Sequence, residues 1–261
     1  MENNPLMLEC VGPVAWLTLN RPDAMNAINM AMIESFDRAL LEIHSNAEVK
    51  VVVVTGAGRA FCAGVDLKEF LHSKEVAPGE PDLIDRLTRV LDSLRGFSKP
   101  VIAALNGITM AGGLETAMCA DIVIASRTAK IGDGHANFGV YPGAGGAAVL
   151  PKIIPLNVAK YLLFTGETLS ADEMNTYGFV NRVVEPEELR DAVQRLGESI
   201  AEKSPIALSR MKTVANAAND KSTADSLDSE QVMFRRHMRS YDVFEGLRAF
   251  NEKRKPEFKG H

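Results

Sequence analysis

The sequence predicts an α/β fold made of short strand–strand–helix units, followed by a region that is entirely helical. Apolar runs rich in β-branched residues, such as Val51–Val54 and Val101–Leu105, alternate with segments of helical periodicity. Strand signals almost disappear after about residue 185. We therefore expect a mixed core over residues 1–203 and a helical C-terminal region over residues 204–261, although no sequence repeat is evident.

The first elements are predicted to be a hairpin, a helix and a buried strand. Leu6–Cys10 and Val14–Leu19 have the pattern of two strands joined by a tight turn. A turn at residues 20–23 leads to a helix over residues 29–44, with an asparagine at its N-cap position. Val51–Val54 is a continuous apolar run, which is typical of a strand buried in a parallel sheet.

The next part of the chain predicts a loop, two helices and the central strand. Residues 55–66 are punctuated by glycine and form the loop, and Leu67–Leu71 forms a short helix. Residues 72–81 are rich in Lys, Glu, Pro and Gly, so we expect them to be mobile. A helix over residues 82–97 then leads into the strand Val101–Leu105.

Most of the remaining chain is predicted to be helical. Ile122–Ala125 and Phe179–Val184 have strand character, and a glycine-rich passage ends at Gly146. The predicted helices cover residues 156–164, 170–177, 186–203, 205–219, 223–241 and 242–253.

The composition is that of an ordinary globular protein. Apolar residues make up 46% of the chain and charged residues 24%, close to the average. The net charge of −5 argues against a nucleic-acid partner or an anionic membrane. Cys10, Cys62 and Cys119 form no disulfide framework or metal motif, and the N-terminus has no targeting pattern. These features predict a cytoplasmic protein with no membrane association.

Glycine-rich patterns in the chain do not complete a nucleotide-binding motif. The pattern that begins at Gly56 has Phe61 where a dinucleotide fingerprint needs its third glycine. A phosphate-loop spacing that begins at Gly107 has Gly113 and Leu114 in place of Lys and Ser or Thr. The histidines lack metal-ligand spacing. We expect no metal and no separate cofactor.

The stretch whose residues most clearly suggest a reactive site runs from Asn106 to Asp121. Gly112 and Gly113 stand at the start of a predicted short helix, where unpaired backbone N–H groups can hold an anion or a developing oxyanion. Glu115 follows one turn later, so a carboxylate lies near these donors. The alternative is that the glycines allow close packing and Glu115 complements the helix dipole. The local pattern does not decide between them.

Three further glycine-containing segments share this character. In the first, Arg59–Glu69, a backbone N–H near Val65 is placed to meet that of Gly112 and form a pocket with two donors. The second is Gly132–Gly139. For the third, Pro142–Gly146, the favoured interpretation is a glycine-rich turn beside the start of a helix.

Several segments, in order along the chain, resemble the crotonase superfamily, also called the enoyl-CoA hydratase/isomerase family. The resemblance covers essentially the whole chain. The matching segments are residues 19–28, 60–69, 99–107, 112–115, 139–146 and 245–256.

The resemblance implies a spiral of ββα repeats and a helical C-terminal region that builds homotrimers, usually paired into homohexamers. It also implies an acyl-CoA thioester substrate, of which coenzyme A is a part. The thioester oxygen would accept hydrogen bonds from the backbone N–H groups of Val65 and Gly112. By the same resemblance, the residues that bind the substrate and its CoA part are Ala24, Ala27, Ala63, Val65, Asp66, Leu67 and Lys68.

One position departs from the family pattern. Hydratases of this family use two catalytic glutamates; Glu115 matches the first, whereas His135 stands in place of the second. Three interpretations remain open. His135 replaces the glutamate as acid/base, oriented by Asp133 if this stretch is extended. Alternatively Glu115 works alone, as in an isomerase or a specialised hydratase, or His135 only shapes the acyl pocket of a decarboxylase or thioester hydrolase.

The function we expect is therefore that of an enoyl-CoA hydratase, with Glu115 and His135 as catalytic residues. The alternatives are an isomerase, a decarboxylase or a thioester hydrolase of the same family. A non-catalytic relative that binds RNA is a more distant alternative. It is disfavoured because the predicted helix over residues 29–44 offers Arg38 against Glu34, Asp37 and Glu42.

Overall fold

The apolar runs form the strands of two sheets in the computed structural model, which describes residues 4–72 and 80–261. Neighbouring strands are parallel, except for the first pair of the large sheet and the last pair of the small one. The large sheet has the order β1 (Leu6–Val11), β2 (Val14–Leu19), β3 (Val51–Gly56), β5 (Val101–Leu105), β7 (Ile122–Ser126) and β10 (Arg182–Val184). The small sheet has the order β4 (Ala60–Cys62), β6 (Ile108–Met110), β8 (Lys130–Gly132) and β9 (Thr168–Ser170).

Several helices begin at residues whose side chains cap them. The Asn29 side chain accepts a hydrogen bond from Met32 N at the start of α1, and Asp82 and Asp85 form a capping box before α3. The α-helices are α1 (Met30–Ser45), α2 (Leu67–His72), α3 (Leu83–Arg95), α4 (Gly112–Ala117), α5 (Leu150–Ile153), α6 (Leu156–Thr165), α7 (Ala171–Thr176), α8 (Leu189–Ala201), α9 (Pro205–Ala218), α10 (Thr223–His237) and α11 (Tyr241–Glu252). Short 3₁₀ helices cover Pro22–Ala24, His135–Phe138 and Pro186–Glu188.

The strand order reveals a structural repeat that the sequence does not show. Each of β3, β5 and β7 enters the large sheet and is followed directly by β4, β6 or β8 in the small sheet. A helix or 3₁₀ turn then leads back to the next strand of the large sheet. Successive units stack in parallel, so the chain winds as a spiral. The predicted ββα architecture is confirmed.

Both faces of the large sheet are buried, as a mainly parallel sheet requires. On one face, Val14, Trp16 and Val53 pack with α8, and Trp16 Nε1 donates to Gln194 Oε1 at 2.8 Å. On the other face, Leu17 and neighbouring side chains pack with α1, α3 and the small sheet. The small sheet is therefore held against the core, and the loops that leave its strands are fixed in place.

Several short elements differ from the sequence predictions. The strands β4, β6 and β9 and the helix α5 lie where no such elements were predicted, and β10 covers only the end of the predicted strand Phe179–Val184. Each of these elements has only three or four residues, too few to show a period. The predicted mobility of residues 72–81 falls mainly on residues 73–79, which lie outside the described residues.

The helical C-terminal region begins at a capped helix. Ser204 precedes α9 and accepts a hydrogen bond from Ala207 N, and its hydroxyl donates to Asp242 Oδ2 at 2.6 Å. Lys212 on α9 forms an ion pair with Asp121 of the core at 2.8 Å. The boundary at residues 203 and 204 stays a prediction. No helix within the described ranges has the length and apolar character needed to cross a bilayer.

Candidate active site

A pocket with a volume of about 880 Å³ gathers residues from six separate segments of the spiral. These segments are the 3₁₀ turn near residue 24, the start of α2, α3, β6, α4, and the passage after β8. Of the residues predicted for the site, those that line this pocket are Ala24, Ala27, Ala63, Val65, Asp66, Leu67, Lys68, Glu115 and His135.

Gly112 packs against the segment that contains Val65. A methyl group built on Gly112 would lie 3.4 Å from Val65 Cγ2, and one built on Gly64 would lie 3.6 Å from Gly112 N. Gly64 has a φ of +115°, a conformation that L side chains rarely adopt. The left-handed conformation at Gly64 therefore favours glycine, whereas a methyl group on Gly112 would make only ordinary van der Waals contact with Val65.

The backbone N–H groups of both predicted donors make no hydrogen bond to other described residues. Val65 is held by a short bridge to Ile28, in which Ile28 N donates to Gly64 O and Asp66 N donates to Ile28 O, each at 2.8 Å. Gly112 is the first residue of α4, so its N–H has no partner inside the helix. Within residues 4–72 and 80–261, neither Val65 N–H nor Gly112 N–H donates a hydrogen bond.

The entrance of α4 is held by close backbone packing. A methyl group built on Gly113 would lie 2.1 Å from Cys62 O, so only glycine fits here. Ala111, immediately before the helix, has a φ of +49°. Such a conformation is strained for a residue with a side chain. The position of Gly112 N–H is thus fixed by its neighbours on both sides.

Glu115 is buried and held by main-chain groups. Its side chain is 2% exposed, and Oε1 accepts hydrogen bonds from Ala144 N and Gly146 N, both at 2.9 Å. These two donors hold the carboxylate in place. Both of these bonds go to Oε1, so neither N–H group holds Oε2. Glu115 also lines the pocket.

His135 is paired with a buried carboxylate. Its Nδ1 lies 2.9 Å from Asp133 Oδ1, and its backbone N donates to the same oxygen at 3.2 Å. Burial is the largest influence on the imidazole and favours its neutral form. The hydrogen bond to Asp133 and the charges of Asp133 and Glu115 outweigh it, so the pKa of His135 is raised.

The pairing of Asp133 with His135 arises from a geometry that the sequence did not predict. The proposed orientation assumed an extended stretch, but Gly134 is left-handed with a φ of +73° and residues 135–138 form a 3₁₀ helix. The chain therefore turns back at Gly134. The turn places the His135 ring beside the Asp133 side chain, so the two residues meet although the predicted extended backbone is wrong.

The positively charged groups that line the pocket lie on the side where CoA binding was predicted. Arg21 donates from Nη2 to Asp66 Oδ2 at 3.0 Å and from Nη1 to Ala27 O at 2.6 Å. This arrangement ties the turn that carries Ala24 and Ala27 to the start of α2. Lys68, the second residue of α2, also lines the pocket.

The rest of the pocket wall is largely apolar. The lining side chains include Ile84 from α3, Met110 from β6, and Phe138, Val140 and Tyr141 from the passage after β8. Phe138 and Tyr141 are 69% and 79% exposed. An apolar acyl group would replace water against these side chains.

Sequence reasoning did not identify what the loop Pro142–Gly146 does. The loop is a glycine-rich turn, as predicted, but it also supplies the two N–H groups that hold Glu115. Gly145 within it has a φ of +127°. The sequence signal for this contact was the run of small residues in the loop, since small residues allow nearby N–H groups to point at one acceptor.

The fold and the pocket together define a class of protein. It is an α/β spiral whose pocket is lined by Val65, by the fixed Glu115 carboxylate and by the paired His135 imidazole, with the start of α4 packed against the segment of Val65. Backbone N–H groups at a helix start can stabilise negative charge on a carbonyl oxygen, and a carboxylate and an imidazole can exchange protons with neighbouring atoms.

Comparison with known proteins identifies the family. The family model described as enoyl-CoA hydratase/isomerase matches residues 10–261. The short-chain-enoyl-CoA hydratase of Clostridium acetobutylicum is 36% identical over 98% of both chains, and the crotonyl-CoA hydratase of Syntrophomonas wolfei is 34% identical over 99% of both. The crystal structure of an enoyl-CoA hydratase from Bacillus anthracis superposes with a TM-score of 0.91 at 32% identity, covering 98% of this chain and 100% of the other. The chain belongs to the enoyl-CoA hydratase/isomerase family.

Proposed function

We propose that the protein is an enoyl-CoA hydratase that adds water across the double bond of a 2-enoyl-CoA. The observation that carries the proposal is that two acid/base groups, Glu115 and His135, line one pocket near free backbone donors. Hydration suits two such groups, because one can take a proton from water while the other gives a proton to Cα. Family relatives named as hydratases support the same reaction.

The proposed reaction begins with the thioester carbonyl between Val65 N–H and Gly112 N–H. These donors stabilise the enolate oxygen that forms when a nucleophile adds at Cβ, and losing one such donor typically costs about 3 kcal/mol. Because both are main-chain groups held by packing, they need little reorganisation as the charge develops.

Glu115 and His135 then divide the proton transfers. A water molecule positioned by Glu115 attacks Cβ and gives its proton to the carboxylate, and the double-bond electrons move toward the thioester oxygen. His135 donates a proton from Nε2 to Cα as the enolate collapses. The raised pKa of His135 supports this role, since the ring holds its proton more tightly than a free imidazole does. The thioester bond stays intact throughout.

The substrate assignment follows the same pocket. We propose that Ala24, Ala27, Ala63 and residues 65–68 contact the substrate and its CoA part, because they lie on the wall that carries Arg21 and Lys68. Cationic side chains suit the phosphate groups of CoA. The apolar wall near Phe138 and Tyr141 suits the acyl group. Coenzyme A enters as part of the substrate, and the proposed reaction uses no other cofactor.

The experiment that tests the function is turnover on a panel of CoA thioesters. The panel contains crotonyl-CoA, longer 2-enoyl-CoA, 3-enoyl-CoA, methylmalonyl-CoA and hydroxyacyl-CoA, each assayed with the wild type and with His135→Ala. We expect hydration of the 2-enoyl thioesters, with a loss of about 10²–10⁴-fold in His135→Ala. Hydration that survives this substitution would leave Glu115 as the sole acid/base group. Movement of a double bond, release of CO₂ or release of free CoA without hydration would replace the proposal with isomerase, decarboxylase or hydrolase activity.

We further propose that the chain assembles as a homotrimer or a pair of trimers. The helices α9, α10 and α11 carry large apolar side chains that the protomer leaves exposed, and such a surface favours association. These side chains are Met211, Leu227, Val232, Phe234, Met238, Phe244, Leu247 and Phe250. Sedimentation equilibrium tests the proposal, and a monomeric mass at micromolar concentration would contradict it.

A cytoplasmic location is the remaining proposal. Cys10, Cys62 and Cys119 are all free thiols in the structure, and Cys62 and Cys119 are buried. Unpaired cysteines are typical of a reducing compartment. Fractionation of cells that express the tagged protein, with a cytoplasmic marker enzyme as control, tests the location.

A further inference from the structure

Asp133 is the most deeply buried ionisable side chain of the pocket. It is 0% exposed and follows β8 directly. Its Oδ1 contacts both the Nδ1 and the backbone N of His135, at 2.9 and 3.2 Å. Two contacts to one residue fix the ring both in position and in the direction of its Nδ1.

The second oxygen of Asp133 has no hydrogen-bond partner in the described parts of the chain. It faces Gly146, where an added methyl group would lie 2.7 Å from Oδ2. Among the described residues, His135 is therefore the one whose side chain hydrogen-bonds to this carboxylate. Burying an ionised carboxylate is costly unless a positive charge lies beside it.

Two negative groups act on the imidazole from different elements. Asp133 lies on its own segment, and Glu115 reaches it from α4. Burial is the strongest single influence and lowers the pKa of His135, but the hydrogen bond and charge of Asp133, together with the charge of Glu115, raise it more. Most of the opposing influence comes from Asp133, because it alone makes a hydrogen bond to the ring.

We propose that Asp133 is a positioning residue that keeps His135 protonated, with Nδ1–H bound to Asp133 and Nε2–H available to the substrate. The inference rests on the proposed hydratase function. In the hydration step, the Nε2 proton moves to Cα and the Nδ1 proton stays on the ring. The imidazole becomes neutral in a single tautomer, and in dehydration the same Nε2 takes the proton back.

The first test compares Asp133→Asn with the wild type and with Asp220→Asn as a matched control. Asp220 is an exposed residue that pairs with Lys152, and neither residue lines the pocket. Hydration of crotonyl-CoA is measured from pH 5 to pH 9. Wild-type kcat should fall as pH rises through the pKa of His135. In Asp133→Asn, kcat should fall at least 10²-fold with little change in KM, and the alkaline limb should move about 1–3 pH units lower.

The second test needs no change at Asp133. Nitrogen-15 NMR of the imidazole groups, assigned by comparison with His135→Gln, measures the pKa and tautomer of His135 in the folded wild type. We expect a pKa above about 6.5 and Nδ1–H in the neutral ring. A lower pKa or the Nε2–H tautomer would overturn the inference, even if Asp133→Asn does not fold.

The two proposals fail in different ways. Wild-type kcat and an unmoved alkaline limb in a folded Asp133→Asn protein would overturn the positioning role and leave the hydratase proposal intact. Full hydration by His135→Ala would instead remove His135 from the reaction, and the role of Asp133 with it.

Discussion

At the scale of single residues, the position of Glu115 gives a direct prediction. Its Oε1 is held by two backbone N–H groups, and the amide oxygen of a glutamine can accept the same bonds. Glu115→Gln should therefore fold normally but lose the ability to take a proton. We expect kcat for 2-enoyl-CoA hydration to fall about 10²–10⁴-fold, with KM changed little.

The measurement is steady-state hydration over a range of substrate concentrations, combined with circular dichroism and thermal unfolding. Glu187→Gln is the matched control, because Glu187 is exposed and lies in the 3₁₀ helix before α8. Wild-type turnover in a folded Glu115→Gln protein would remove Glu115 from the proton transfers.

The sequence could predict the reactive side chains but not the groups that hold them in place. Glu115 is recognisable because it stands in a glycine-containing segment that resembles a known family, and His135 because it occupies the position where that family has its second glutamate. The bonds from Ala144 and Gly146 to Glu115 join residues 29 and 31 positions apart. No local pattern encodes such a contact. The turn at Gly134 was also missed, because a single glycine does not reveal which conformation it adopts.

At the scale of elements, the entrance of α4 depends on Gly113. A methyl group there would lie 2.1 Å from Cys62 O and 2.8 Å from Cys62 C, which are backbone atoms. In Gly113→Ala the start of α4 must move away from β4, and Gly112 N–H moves with it. We expect a loss of about 1–3 kcal/mol in the free energy of unfolding. We also expect kcat to fall by a larger factor than it does in another variant that has the same stability.

Urea unfolding and hydration kinetics on the same samples measure both effects. Gly246→Ala is the control: its added methyl group would lie 3.5 Å from the nearest side-chain atom of Phe258, and it falls inside α11. Alanine there should be neutral or slightly stabilising. Equal stability of Gly113→Ala and the wild type would show that the close approach to Cys62 is relieved without cost.

The end of the chain folds back on α11 and makes stability depend on acid pH. Arg254 donates to both carboxylate oxygens of Glu245, at 2.5 and 3.0 Å, and Glu257 N donates to Oε1 at 2.9 Å. The Arg254 hydrogen bonds are the main cause that lowers the pKa of Glu245 to about 2. The folded state thus favours the ionised form more strongly than the unfolded chain does.

The stabilisation should be complete above the unfolded pKa, near 4.3, and should disappear as pH falls through about 2. The difference in unfolding free energy between wild type and Glu245→Gln should therefore be constant above pH 5 and shrink below it. Urea unfolding at fixed protein concentration measures this difference. Glu252→Gln is the control, since the exposed Glu252 pairs with the same Arg254 and should matter less. A difference that does not change with pH would contradict the ionic origin.

Elements of ordinary length were predictable, and very short ones were not. The helices α1, α3 and α6 and the strands β2, β3 and β5 carry enough residues to show a period or a continuous apolar run. The strands β4, β6 and β9 have three residues each, and they are held by pairing in the small sheet, where β4 pairs with β6, and β6 and β9 pair with β8. Their stability comes from tertiary contacts, so local propensity does not reveal them.

At the scale of the whole molecule, the exposed apolar side chains of α9, α10 and α11 predict an association that point substitutions can weaken. Phe234 and Phe250 are 54% and 81% exposed in the protomer. Burying a large apolar side chain contributes about 1.5–3 kcal/mol. Phe234→Asp and Phe250→Asp should therefore shift the sedimentation equilibrium toward smaller species.

Leu41→Asp on α1 is the control, because Leu41 is also 70% exposed but lies outside these three helices. It should leave the mass unchanged. If the wild type assembles while both phenylalanine variants keep the same mass as the wild type, the contacts between subunits lie elsewhere. The predicted role of residues 204–261 in assembly would then be wrong.

The overall architecture was predictable because its signals are spread along the chain. The alternation of apolar runs and helical segments indicated an α/β fold, and the motifs from residue 19 to residue 256 resembled one family. The division into a six-stranded and a four-stranded sheet was not predictable from residue pattern. It depends on which distant strands pair, as in the pairing of β7 with β10 in the large sheet.

The use of main-chain donors throughout the site has a consequence for how the protein tolerates mutation. The N–H groups of Val65, Gly112, Ala144 and Gly146 are present whatever side chain a residue carries, unless it is proline. In a library that carries every substitution at each position, the glycines should therefore tolerate only small residues. Only a few positions should require one particular side chain. A protein built in this way can change its reactive side chains, as at position 135, and the surrounding residues can change in sequence while the main-chain donors stay.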